Sequence, residues 1–183
     1  MPINKFEFKR NNNFLSKENI KFINEVVLNN SFPFYLSNTV INGKDINYSF
    51  LVHIVQNRLE DFKLNQAINS PNYYDQTVDI LHNFLNSINE KYNFFLRIAY
   101  NLTFNCGYGK SQIHKDHEYK HKQVIIYLND ADPESKTCIV DKKGNIIKEI
   151  IPKKFEGVCF NDIEHFQYFP KKGLRAALIA TYI

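Results

Sequence analysis

The 183-residue sequence predicts an α+β fold in which N-terminal helices support an all-β sandwich or barrel. Three observations carry that expectation. From Asn93 onward the apolar spacing has a period of two. Short alternating runs then follow one another to Ile183, with turn residues between several of them. No helical spacer falls between these runs, which argues against a parallel α/β sheet.

The elements follow in chain order. After the Asn11–Asn13 run, Ser16 can cap a helix running to about Asn29, with Ile20, Ile23 and Val27 on one face. Residues 31–74 are mixed. Phe32-Pro33-Phe34 opens an aromatic stretch, Gly43-Lys44-Asp45 marks a turn, and 48–62 fits a strand or a helix. Asp75 begins a clearer helix whose Val78, Leu81, Leu85 and Ile88 recur at three- and four-residue spacing.

In Phe94–Phe104 the period becomes two. Phe94, Leu96, Ile98, Tyr100, Leu102 and Phe104 share one face, while Arg97, Asn101 and Thr103 share the other. Further alternating runs lie at 123–129, 137–141, 146–151, 156–160, 165–169 and 174–183. Asp130–Pro133, Lys142–Asn145 and Lys171–Gly173 supply turns between them. The chain reads as a single domain, 1–183, with a mixed support region over 1–92 and a β core over 93–183.

Composition narrows the class. An apolar share of 44% and an aromatic share of 15% exclude a disordered chain. Six Gly and six Pro exclude collagen-like and linker compositions. The bias toward Asn, Ile and Lys reads as AT-rich codon usage. The net charge of +4 belongs wholly to 93–183, as scattered lysines without a dense stripe, so a dedicated nucleic-acid binder is not favoured. Cys106, Cys138 and Cys159 have no CxxC spacing and read as reduced thiols, not as a disulfide framework or zinc knuckle. No run approaches the ~18 apolar residues of a membrane span, and the charged start MPINKFEFKR lacks an apolar leader core. A cytoplasmic protein is expected.

The residues that stand out chemically are His114-Lys115-Asp116 and, much later, His165. Two residues apart in an extended segment, a His and an Asp can reach one metal. A second His from a neighbouring strand completes a two-imidazole, one-carboxylate face, the arrangement suited to non-heme Fe(II) beside a bidentate co-substrate. That spacing recurs by chance, and three features add weight to it. Arg175 lies inside the last apolar strand, where a buried guanidinium needs an anion. By alternation it shares a face with Ala177, Ile179 and Thr181, and the small residues leave room beside it. Strand 123–129 aligns Gln123, Ile125, Tyr127 and Asn129, so that Tyr127 offers a hydroxyl to the same anion. Arg97, Asn101 and Thr103 suit the wall of a polar pocket.

With these residues in place the sequence resembles the 2-oxoglutarate and Fe(II)-dependent dioxygenases, in particular the prolyl-hydroxylase-like branch. The matching residues are His114-Lys-Asp116, Val124-Ile-Ile-Tyr-Leu-Asn-Asp130, Phe155-Glu-Gly-Val-Cys-Phe160, His165 and Arg175, over roughly residues 93–183. Phe32-Pro-Phe-Tyr35 and the helix before the first strand also look like small phage and marine bacterial members. The resemblance implies a double-stranded β-helix (a jelly-roll or cupin-like barrel) with His114, Asp116 and His165 as iron ligands. It implies that Arg175 and Tyr127 hold the far carboxylate of 2-oxoglutarate; Asn101, on the polar face of the first strand, reads either as a further co-substrate residue or as a partner of the backbone. Fe(II), 2-oxoglutarate, O2 and ascorbate as reductant are the implied cofactors. The implied reaction is hydroxylation of an unactivated C–H bond of a peptide side chain or small molecule, releasing succinate and CO2.

The family's frequent Gly-Gly-x-Thr is replaced here by Glu134-Ser-Lys-Thr137, and Ala177 stands where some branches pair a serine with the arginine. Tyr127 is therefore expected to be the main hydroxyl partner of Arg175. Plainer readings stand beside these: a surface pair for His114 and Asp116, a core histidine for His165, and a salt bridge from Arg175 to Glu149 or Asp162. His117 and His121 read as solvated loop residues. The competing functions are a non-catalytic cupin-like module for a carboxylate or sugar, and a nucleobase-modifying dioxygenase.

Overall fold

The computed structural model describes residues 6–40, 44–58 and 68–183. Among them, two α-helices and ten strands form, and every strand pairing is antiparallel. The strands are β1 (Phe8–Asn11), β2 (Tyr35–Val40), β3 (Lys44–Gln56), β4 (Phe95–Phe104), β5 (Lys122–Tyr127), β6 (Thr137–Val140), β7 (Ile146–Ile150), β8 (Gly157–Asn161), β9 (His165–Gln167) and β10 (Leu174–Tyr182). A seven-stranded sheet runs β1-β8-β5-β10-β4-β3-β2, and a three-stranded sheet runs β7-β6-β9. From β4 onward the chain passes back and forth between the two sheets. This is the closed, two-sheet topology of a double-stranded β-helix.

Alternation decides which residues fill which layer. Val124, Ile126, Ala176, Leu178 and Ala180 join the helix-side core with Ile80, Leu81, Phe84 and Leu85, while Ile125, Tyr127 and Ala177 pack with Ile139 and Ile150 between the sheets. Each fully buried Leu, Ile or Phe contributes roughly 1.5–3 kcal/mol of transfer free energy, so the helix-side layer is the main apolar core. The close approach of helix and sheet depends on Gly157, where a Cβ would lie 2.4 Å from Phe84 Cδ2. Among the described residues, no helix is long and apolar enough to cross a membrane.

The N-terminal half differs from its sequence reading in several places. The helix capped by Ser16 forms as α1 (Lys17–Phe22), closed by a reciprocal Ser16–Asn19 capping box, and continues as a π-helical stretch over Ile23–Val27. The second helix, α2 (Pro71–Ser87), starts four residues before Asp75, because Pro71 with its fixed φ occupies the first turn. The ambiguous 48–62 segment is a strand as far as Gln56. Of the expected turn, Gly43 lies outside the described residues, while Lys44 and Asp45 belong to β3. Strand β1 has no counterpart in the sequence reading: it is a four-residue edge strand held against β8.

Candidate active site

The segment leading to Asp116 is extended, as expected, and its first part lies along β9. Ser111 N donates to Gln167 O at 2.8 Å, and Gln167 N donates to Ser111 Oγ at 3.0 Å. His114 and His165 exchange both backbone hydrogen bonds, at 3.0 and 2.9 Å, and so stand directly opposite each other. Directly opposed residues share a face, which brings their rings to 4.6 Å between centroids. Asp116 is buried, and its Oδ2 lies 3.8 Å from His165 Nε2 without a hydrogen-bond partner.

Both imidazoles are oriented by backbone. His114 Nδ1 is 2.9 Å from Gln112 O, and His165 Nδ1 is 3.2 Å from Ile163 O. A proton on each Nδ1 serves these carbonyls and leaves each Nε2 lone pair available, the usual way a metal-binding histidine is set. Arg58, unremarked in the sequence, donates to the Asp116 carbonyl and places its other guanidinium nitrogen 3.6 Å from Asp116 Oδ1. Burial would raise the Asp116 pKa, but facing His165, with His114, Arg58 and Arg97, holds the carboxyl well below the usual range. Burial, reinforced by His114, pulls His165 down to about 4 against the opposing influence of Asp116. A charged carboxylate and a neutral imidazole are the forms that metal binding requires. Among the described residues, no three His, Cys, Asp or Glu side chains are already drawn to full coordinating distance. Asp116 adds one buried oxygen without a hydrogen-bond partner.

A second polar group lies farther along β10. Arg175 is buried; its guanidinium donates to Thr137 Oγ1 at 2.7 Å, and its Nε has no hydrogen-bond partner. The guanidinium carbon stands 5.2 Å from the Tyr127 ring centroid, while the Tyr127 hydroxyl is 3.0 Å from Thr137 Oγ1. The expectation that Tyr127 is the main hydroxyl partner of Arg175 is therefore corrected. Thr137 has that place, and Tyr127 supports the guanidinium with its ring and the threonine with its hydroxyl. The signal was present, since Glu134-Ser-Lys-Thr137 departs from the family pattern in its glycines but retains its threonine. Glu149 and Asp162 pair instead with Lys136 and Lys115, each at 3.1 Å.

These residues meet in one cleft that opens to solvent. His114, Asp116, His165, Arg175, Thr137, Asn101 and Arg97 line it, and the N-terminal half contributes Tyr48 and Phe50 from β3. Asn101 Oδ1 is buried there without a hydrogen-bond partner, whereas the Thr103 hydroxyl turns to the Arg175 carbonyl at 3.4 Å. His117 and His121 are not solvated, as their loop placement suggested. Both are buried; His117 Nε2 is 2.8 Å from Thr181 Oγ1, and His121 Nδ1 is 2.9 Å from Tyr119 O.

No protein-family model and no curated protein matches the sequence. The structure, however, resembles solved 2-oxoglutarate-Fe(II) oxygenases. An oxidoreductase of that family from Burkholderia pseudomallei superposes with a TM-score of 0.72 at 10% identity, over 96% of this chain and 84% of that one. A Pseudomonas putida prolyl-4-hydroxylase gives 0.60 at 14% identity, over 97% and 92%. A Trichoplax adhaerens prolyl hydroxylase, solved with a hypoxia inducible factor peptide fragment, gives 0.63 at 18% identity, over 96% and 83%. Identities this low establish a shared fold, in agreement with the fold expected from the residues between 93 and 183.

Proposed function

We propose that this protein is an Fe(II)- and 2-oxoglutarate-dependent oxygenase that hydroxylates an unactivated C–H bond of a peptide side chain or small molecule. The observation that carries this reading is the convergence in one cleft of two kinds of incomplete polar group. At one end, the orphaned Asp116 Oδ2 faces two imidazoles whose Nδ1 atoms are engaged by backbone. At the other, the buried guanidinium of Arg175 keeps an Nε without a hydrogen-bond partner. Leaving such groups without ligands costs several kcal/mol, so their joint presence supports a metal and an anion as the intended occupants.

His114, Asp116 and His165 are the ligands we assign to the metal; this donor set suits Fe(II) with open adjacent positions. When bound, Fe(II) supplies oxygen activation coupled to decarboxylation of 2-oxoglutarate to succinate and CO2, with ascorbate as external reductant. The protein's own residues determine geometry. Arg175 and Thr137 fix the far carboxylate, and the Tyr127 ring keeps the guanidinium from swinging away. Asn101 offers its free oxygen to a donor within the cleft. Ile125 and Ile179 line the cleft beside these groups and limit water there.

Full-length protein supplied with Fe(II) and ascorbate should convert 2-oxoglutarate to succinate, and His114→Ala should abolish the conversion. Iron-loaded protein that neither binds 2-oxoglutarate nor turns it over with peptides, amino acids or nucleotides would overturn the assignment.

A further inference from the structure

Two of the three residues assigned to the metal, His114 and Asp116, come from one segment, and the third, His165, opens β9. His114 is fixed to His165 by two backbone hydrogen bonds. Asp116 lies beyond that bridge. Neither Lys115 nor Asp116 shares a backbone-to-backbone hydrogen bond with the described residues. The place of the carboxylate therefore depends on side-chain tethers. Arg58 is one of them, and it grips Asp116 itself.

A second tether starts from Lys115. Neighbours in an extended segment alternate in direction, so Lys115 leaves the side that His114 and Asp116 share. Its ammonium lies 3.1 Å from Asp162 Oδ1. Asp162 follows the end of β8, where Asn161 pairs with Lys122 of β5. Continued by one residue, that antiparallel register sets His121 opposite Asp162, and His121 Nδ1 is 3.8 Å from the same oxygen. This nitrogen is already engaged by Tyr119 O at 2.9 Å, so Lys115 is the cation that balances the Asp162 carboxylate. The Asp162 side chain is 15% exposed and that of Lys115 41%, so water screens the pair only in part. Asp162 stands three residues before His165, in the turn that carries the chain from the larger sheet to the smaller one.

We propose that Lys115 and Asp162 form a positioning pair for the metal site. Their contact fastens the segment between His114 and Asp116 to the turn that leads into His165, and so holds Asp116 toward the two imidazoles. The pair sets the spacing of the ligands and leaves their chemistry alone. This inference rests on the metal assignment made above.

Charge and position make opposite demands on Lys115. Through its charge alone, Lys115 repels a divalent cation, and Lys115→Met would bind Mn(II) more tightly. Through position, the same change weakens binding. In calorimetric titration of the full-length protein with Mn(II), Lys115→Met and Asp162→Asn should each weaken binding by about two- to fivefold, the span of a partly exposed ion pair. The double variant should bind no more weakly than the weaker single variant, because its second change removes a contact already lost. Lys115→Arg, which keeps the cation, should retain the wild-type affinity. Unchanged or tighter binding in Lys115→Met, losses that multiply in the double variant, or losses that merely follow a fall in urea stability overturn the proposal. Failure of the wild-type protein to bind Mn(II) is the different result that removes the metal assignment itself.

Discussion

Ala176, Leu178, Ala180 and Tyr182 of β10 pack toward α2, whereas Arg175, Ala177, Ile179 and Thr181 alternate with them and face the other sheet and the cleft. Strand β5 repeats the division, with Val124 and Ile126 on the helix side and Gln123, Ile125 and Tyr127 on the other. The helix side is a continuous apolar cluster, and the aromatic and aliphatic side chains of α2 close it. The cleft side leaves Asp116 Oδ2, Asn101 Oδ1 and Arg175 Nε without hydrogen bonds. One strand therefore bears stability on one face and chemistry on the other. Changes one residue apart should damage different properties.

The comparison can be broken by substitutions that respect or violate this division. On the cleft side, Asp116→Ala should lower 2-oxoglutarate turnover by about a thousandfold or more, because the several kcal/mol a metal contributes depart with its ligand. Its circular dichroism spectrum should remain that of a folded protein; an unfolded variant would mean that the cleft side also carries the fold. On the helix side, Phe84→Ala should cost about 3–5 kcal/mol in urea unfolding, as truncation of a fully buried aromatic ring does. Metal affinity of the folded fraction should be unchanged, and a selective loss of metal affinity would contradict the division.

Acid sharpens the contrast further. In the metal-free folded chain His165 is protonated only near pH 4, against 6.5 for an unperturbed histidine. Between these values the unfolded chain binds more protons. Stability should be complete above about pH 6.5 and decline as pH falls toward 4, by up to about 3 kcal/mol. Buried His53, whose pKa desolvation also lowers, acts in the same direction. Urea midpoints across this range should show the decline, and His165→Asn should remove most of it; an unaltered slope would place the acid sensitivity elsewhere. The smallest effect concerns Arg58. Arg58→Gln should weaken Mn(II) binding by about tenfold, the lower end for loss of a partner that orients a metal ligand. Unchanged calorimetric affinity would remove Arg58 from that role.

The same division explains what was legible in the sequence. Strands β4 to β10 show alternation because one face is apolar and the other partly polar, so their runs could be placed nearly to the residue. Arg175 stood out as a charged group in an apolar strand, and His114, Asp116 and His165 stood out by residue type and spacing. Strand β3 gave no such signal: polar His53 and Gln56 are buried beside Val52 and Val55, and they interrupt its apolar pattern. Strand β1 is too short to show one. Thr137 was obscured because Glu134 and Ser135 replace the glycines that would mark its motif. Arg58 lay in the segment whose period was ambiguous, and its role depends on a partner 58 residues away. His117 and His121 resembled exposed loop residues because nothing local shows that their segment folds inward against Thr181.

Calorimetric titration of the full-length protein tests the central claim, that the cleft is built for a metal and a dicarboxylate together. The account predicts one Mn(II) per chain, 2-oxoglutarate binding that requires the metal, and affinity for 2-oxoglutarate reduced by about ten- to a hundredfold in Arg175→Gln. Absence of metal binding, or 2-oxoglutarate binding indifferent to both the metal and Arg175, would contradict it.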